Sequence, residues 1–188
     1  MLRSSKTPLI IVLFVLCSFS LLLAQDAANS SKTKSSAGLS TADSTFMKKA
    51  ADGGMAEVEL GQLAVQKASS SDVKAFGQRM VDDHGKANEQ LKQLASEKRV
   101  ELPQEPGAKH KATKAKLEQL SGTEFDRAYV DEMVRDHKKD VSEFQRESKS
   151  ASDDGVKSFA TQTLPTLQDH LKQIQGLASK QKTETSAK

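Results

Sequence analysis

Four long stretches carry apolar side chains at helical spacing and are joined in pairs by turns of a few residues, a pattern that leaves few folds open. They run over residues 42–68, 72–97, 123–149 and 153–179. Apolar positions recur every three or four residues, the period of one helix face and not of a strand. Start signals precede them. Thr41 or Asp43, Asp72, Thr123 with Asp126 three residues on, and Ser152 or Asp153 offer side-chain oxygens to first-turn amides. The links SSSD (69–72) and SASDDG (150–155) suit antiparallel hairpins. With 7 Phe, 1 Tyr and no Trp in 188 residues, the chain is poorly equipped for a sandwich or barrel. The expected fold is an all-α, antiparallel four-helix bundle. Pro103, Pro106 and Gly107 break the long link between the second and third helices, and residues 108–120 form a short extra helix there.

Outside the bundle, residues 9–24 form an apolar run behind Arg3 and Lys6, ending at Ala24. This resembles a secretory signal peptide and falls short of the roughly 18 residues of a membrane span. Leu22 suits a small-x-small cleavage site poorly, so the segment is either removed or kept as an anchor. Cys17 is the only cysteine, and Leu16 before it does not suit a lipid-attachment box. Cleavage after Ala24 therefore excludes disulfides and thiolate chemistry. Residues 25–41 read as a disordered linker, 42–180 as the bundle and 181–188 as a disordered tail. The chain carries 28 basic against 25 acidic residues, 26 against 25 without Arg3 and Lys6. Near-neutral, interspersed charge gives no footprint for nucleic acid. The expected location is the periplasm or cell envelope, with a protein partner left open.

The two hairpins echo one another, with VKAF at 73–76 and VKSF at 156–159, each after a Ser/Asp turn. The pair suggests an internal duplication.

Polar residues interrupt the apolar stripes. At about 100° per residue, His84 falls among Val73, Phe76, Met80 and Leu91; His137 among Tyr129, Val130, Met133 and Phe144; His170 among Phe159, Leu167 and Ile174. In the first helix Glu57 shares a face with Ala50, Leu60 and Ala64, while Glu59 points outward. Glu57 and His84 are equidistant from the 69–72 turn, and His137 and His170 from the 150–155 turn, so each pair sits at one height. Buried imidazoles beside a carboxylate need mutual satisfaction. Three nitrogen donors and one oxygen match a site for one transition-metal ion (Zn, Fe, Mn or Cu) formed by Glu57, His84, His137 and His170. A metal-free hydrogen-bond network satisfies the same groups. Each histidine follows an aspartate (Asp83, Asp136, Asp169) able to orient a neighbouring imidazole or to face solvent. His110, between Lys109 and Lys111, is expected on the surface, and Pro165 is expected to kink the last helix. No Glu-x-x-His pair, phosphate loop, nucleophile motif or HExxH occurs, so enzyme activity is left undecided.

The segments MAEVELGQLAVQKASSSDVKAFGQRMVDDHGKANEQL, FDRAYVDEMVRDHKKDVSEFQ and LPTLQDHLKQI, with their three Asp-His pairs, resemble domain-of-unknown-function family 4142 over residues 43–180. The resemblance implies an exported bacterial ferritin-like bundle with no established activity. Of the ferritin-like metal residues, Glu57, His84 and His170 carry over, whereas His137 stands where a carboxylate is usual. That departure speaks against di-iron oxidation and leaves a mononuclear, histidine-rich site in metal handling or oxidative-stress protection. The alternative is a metal-free envelope stress or adaptor protein that binds a partner through a helix face.

Overall fold

The structure, a computed structural model, describes residues 39–186. The expected signal segment and most of the linker lie outside them. Five helices follow in order: α1 (Thr41–Lys67), α2 (Ser71–Lys98), α3 (Ala108–Glu118), α4 (Gly122–Ser150) and α5 (Asp154–Ser186). Among the described residues no helix is long and apolar enough to cross a membrane. The four long helices match the sequence periodicity to within a residue or so, except that α5 continues through residues 181–186, where a disordered tail was expected. Lys180 Nζ binds Asp72 Oδ2 at 2.8 Å, and the Thr183 and Ser186 hydroxyls return to carbonyls within the helix. Pro165 lies inside α5.

The helix starts show where local reasoning meets tertiary structure. Ser40, not Thr41 or Asp43, caps α1 by accepting from the Asp43 amide at 3.0 Å. Ser70, not Asp72, caps α2. Ser121 precedes α4 without a side-chain cap, whereas Asp153 receives the Gly155 and Val156 amides as expected. Asp43 and Asp126 are buried and serve the other hairpin. Asp126 accepts from the Ser69 and Ser70 amides at 3.0 and 2.9 Å and from the Ser69 hydroxyl. Asp43 accepts from the Ser152 and Asp153 amides at 3.2 and 3.0 Å. Each hairpin thus clamps the other's turn, and a step of 83 residues relates the two clamps (43 to 126, 70 to 153) and the two VK-x-F motifs (73 to 156). Charge-assisted bonds to otherwise unpaired amides contribute more than neutral ones. Replacing Asp126→Ala is therefore expected to cost about 2 kcal/mol in urea unfolding; an unchanged midpoint would contradict the clamp.

The clamps also fix topology. Asp126 begins α4 beside the end of α1, so these helices are antiparallel, and the Lys180–Asp72 pair makes α2 and α5 antiparallel. The 99–121 connection must therefore travel the bundle's length. It does so across α1 and α4: the Gly107 amide and His110 meet Asp52, Lys114 meets Glu59, and Leu117 enters the core. His110 is consequently only 15% exposed, a correction to its expected surface position, because the crossover brings it against the Asp52 carboxylate.

Within the bundle, α1 and α2 approach closely where Gly61 faces Gly77. A Cβ on Gly61 would lie 2.5 Å from the Gly77 carbonyl oxygen. Backbone cannot yield as a flexible side chain does, so Gly61→Ala is expected to lower stability by about 2 kcal/mol despite alanine's better helix propensity. A stabilised variant in thermal unfolding would overturn that reading.

The apolar core is divided in two. One cluster holds Phe76, Met80, Phe125, Tyr129, Met133 and Ile174; the other holds Phe46, Met47, Leu91, Phe144, Phe159 and Leu167. A layer of buried polar residues belongs to neither: Glu57, His84, His137 and His170.

Candidate metal centre

The three histidines converge from α2, α4 and α5. Each offers one ring nitrogen within 4.8 Å of the others, and all three side chains are buried. The ring centroids of His137 and His170 are 5.3 Å apart, and those of His84 lie 5.8 and 5.4 Å from them. Phe76 packs its ring against both His137 and His170, closing the site on one side.

Neighbouring bonds fix which nitrogens carry hydrogen. A carbonyl oxygen only accepts, so His137 Nδ1, 3.0 Å from the Met133 carbonyl, must bear its proton. His170 Nε2 donates to Asp83 Oδ2 at 2.9 Å. Burial favours the neutral acid in Asp83, but hydrogen bonds from His170 and Arg79 prevail and hold the carboxyl below its usual range, ionised. Arg79 also reaches Asp169 and Gln173. In the neutral rings, His137 Nε2 and His170 Nδ1 therefore face each other at 3.3 Å with a lone pair each. His84 Nε2 is buried with no hydrogen-bond partner. Two opposed lone pairs repel unless a cation or proton lies between them, and the buried His84 nitrogen beside them is left unsatisfied.

Protonation is disfavoured by the surroundings. Burial, with mutual repulsion among the rings, lowers His84 well below the ordinary imidazole value. Burial and His170 lower His137 to about 4. His170 is lowered too, burial outweighing the Asp83 bond. All three imidazoles are neutral at pH 7, the state that ligates metal.

Glu57 is placed differently from its three companions. It is buried, but Oε1 lies 3.8 Å from His137 Nδ1, the ring edge already committed to Met133 and turned away from the other histidines. It is not within the three-nitrogen group. Its other oxygen and the nearby Tyr129 hydroxyl are buried without hydrogen-bond partners. Burial, then Asp140, Asp136 and Glu132, raise the Glu57 carboxyl well above its usual value. Asp140 is raised by burial to about 7. Of the aspartates preceding histidines, Asp83 orients an imidazole on another helix, Asp169 binds Arg79, and Asp136 is half-buried with a raised carboxyl. Sequence reasoning missed Arg79, although its place four residues before Asp83 was a readable signal.

Three imidazole nitrogens without formal charge, with no thiolate among them, can hold a first-row transition-metal ion and leave coordination positions for water or substrate. No curated protein matches the sequence. Two solved structures share the fold. A DUF305 fragment from Deinococcus radiodurans is 13% identical at a TM-score of 0.68, covering 76% of this chain and 99% of its own. A DUF305 protein from Streptomyces coelicolor is 12% identical at 0.64, covering 74% and 93%. The three Asp-His segments lie inside a family match over residues 28–177, and by it the chain belongs to the family described as a domain of unknown function, DUF4142.

Proposed function

We propose that the protein binds one transition-metal ion through His84, His137 and His170, with Glu57 supporting the centre from behind His137, and that it serves metal handling or oxidative-stress protection outside the cytoplasm. The observation that carries this reading is the 3.3 Å approach of two ring nitrogens whose partners leave each with a lone pair, beside the unpartnered His84 nitrogen. A hydrogen-bond network evolved for structure alone would place a donor in that gap. The second-sphere bonds from His137 to Met133 and from His170 to Asp83 are those that orient metal-ligating imidazoles and raise their basicity. The imidazole set suits zinc, copper or iron better than hard, oxygen-seeking cations. Export is supported by the apolar run at residues 9–24 behind Arg3 and Lys6. A ferritin-like ancestry agrees with the hairpin pair and the buried polar layer.

The test is metal content by mass spectrometry on untagged protein, beside His84→Ala/His137→Ala. One equivalent of a single metal, lost in the variant, is the expected result. No metal in either protein after reconstitution would leave the metal-free partner-binding reading.

A further inference from the structure

The 83-residue step that relates the hairpins also relates the metal centre to a second place in the bundle. It carries His84 to Leu167, returns His137 to Gly54 and His170 to Ala87, and carries Glu57 to Asp140. All four counterparts line one cavity of about 20 Å³. The bundle thus holds two pseudo-symmetric positions. One has three histidines and a carboxyl. The other keeps the carboxyl, and its histidine positions hold two small residues and a leucine.

The cavity is not a mere packing gap. Its volume is that of one water molecule or a small ion. His84, a member of the metal centre, forms part of its wall, and His84 Nε2 is buried and unpartnered. Its lining also includes exposed Lys49 and half-buried Glu143, so it reaches the surface, and Gly53 leaves open space where a side chain would stand. Asp140 supplies an oxygen donor in the same cavity wall as His84. A cation losing its water shell requires such a donor, because an apolar passage of this width would impose the whole desolvation cost in one step.

We propose that this vacated twin position is the loading chamber of the histidine centre: a divalent transition-metal ion enters past Gly53, exchanges water for Asp140, and passes to His84. The proposal rests on the metal-binding reading and adds the route and the residues that control it. Apart from metal–ligand contacts, the one bond broken is the O–H of an Asp140 carboxyl still protonated when the ion arrives, and that proton leaves with the displaced water by the same opening.

The experiment follows Co²⁺ uptake by its ligand-field absorption in rapid mixing, with an equilibrium titration of each protein. Gly53→Phe fills the open space at the mouth, and Ala87→Met narrows the chamber from α2. Gly53→Ala is the control, since it changes helix propensity without obstructing the opening. Both obstructing variants should load at least about tenfold more slowly and release cobalt more slowly by the same factor, because a barrier on the loading route alters both directions equally and leaves affinity unchanged. Gly53→Ala should load within twofold of the parent. Parent-like loading in both obstructed variants, or lost affinity at an unchanged association rate, would overturn the chamber while leaving the metal centre standing. A parent protein that binds no cobalt at equilibrium would overturn the metal reading and the chamber with it.

Discussion

Saturation with Zn²⁺ is expected to raise the melting temperature by roughly 8–16 °C when free zinc is about a thousandfold above the dissociation constant. Binding only to the folded state contributes about 4 kcal/mol under that condition, and about 2–4 °C accompanies each kcal/mol for a domain of this size. The structural cause is local. Without a cation, His137 Nε2 and His170 Nδ1 present lone pairs to one another and His84 Nε2 is stranded. An ion bound there would replace the repulsion between two lone pairs with ligation and could satisfy the His84 ring as well. Calorimetry with and without zinc measures the change, and His137→Ala/His170→Ala should abolish it. An equal rise in that variant would place zinc elsewhere on the protein.

At pH 8, Asp140→Asn is expected to stabilise the metal-free protein by up to about 4 kcal/mol, less whatever solvent screening the half-buried side chain receives, an unusual sign for the loss of a carboxylate inside a bundle. Burial raises the Asp140 carboxyl from 3.8 to about 7. The folded state therefore holds a proton that the unfolded chain releases. Stability is gained as pH falls from about 7 toward 3.8, and above 7 the ionised group costs about 1.4 kcal/mol for each tenfold difference in proton affinity between the folded and unfolded chain. Asparagine removes that cost, so its advantage should vanish near pH 4. Glu57, raised mainly by burial, acts in the same direction. The histidines act oppositely. His137 falls from 6.5 to about 4 on burial, so its stability is complete above 6.5 and about 3 kcal/mol is lost as pH falls through 4. These trends partly cancel in the parent, and Asp140→Asn should steepen acid unfolding. Urea midpoints at pH 8, 6 and 4 measure both effects. Destabilisation by Asp140→Asn at pH 8 would contradict the account.

The sequence made the helices readable because periodicity is local. It made the inward direction of His84, His137 and His170 readable for the same reason, and hairpin symmetry set their height. What it concealed depends on contacts between distant segments. Asp43 and Asp126 have the residue type and position of helix caps, yet each binds the opposite hairpin's turn 109 or 57 residues away in the chain. Glu57 lies on the correct face at the correct height, but the Met133 carbonyl decides which edge of His137 faces the other histidines. Asp140 is legible only afterward, as the 83-residue counterpart of Glu57. The crossover path is set by Asp52, Glu59 and Leu117, contacts that no pattern within residues 99–121 displays.

The central claim is that two ring nitrogens meet as lone pairs. The most direct measurement is the long-range ¹H–¹⁵N spectrum of the histidine side chains in metal-free protein at pH 7, repeated with one equivalent of Zn²⁺. The account predicts neutral rings, protonated at Nδ1 in His137 and Nε2 in His170, with the resonances of both bare nitrogens moving when zinc is added. A charged ring, a hydrogen held between His137 Nε2 and His170 Nδ1, or resonances indifferent to zinc would contradict it.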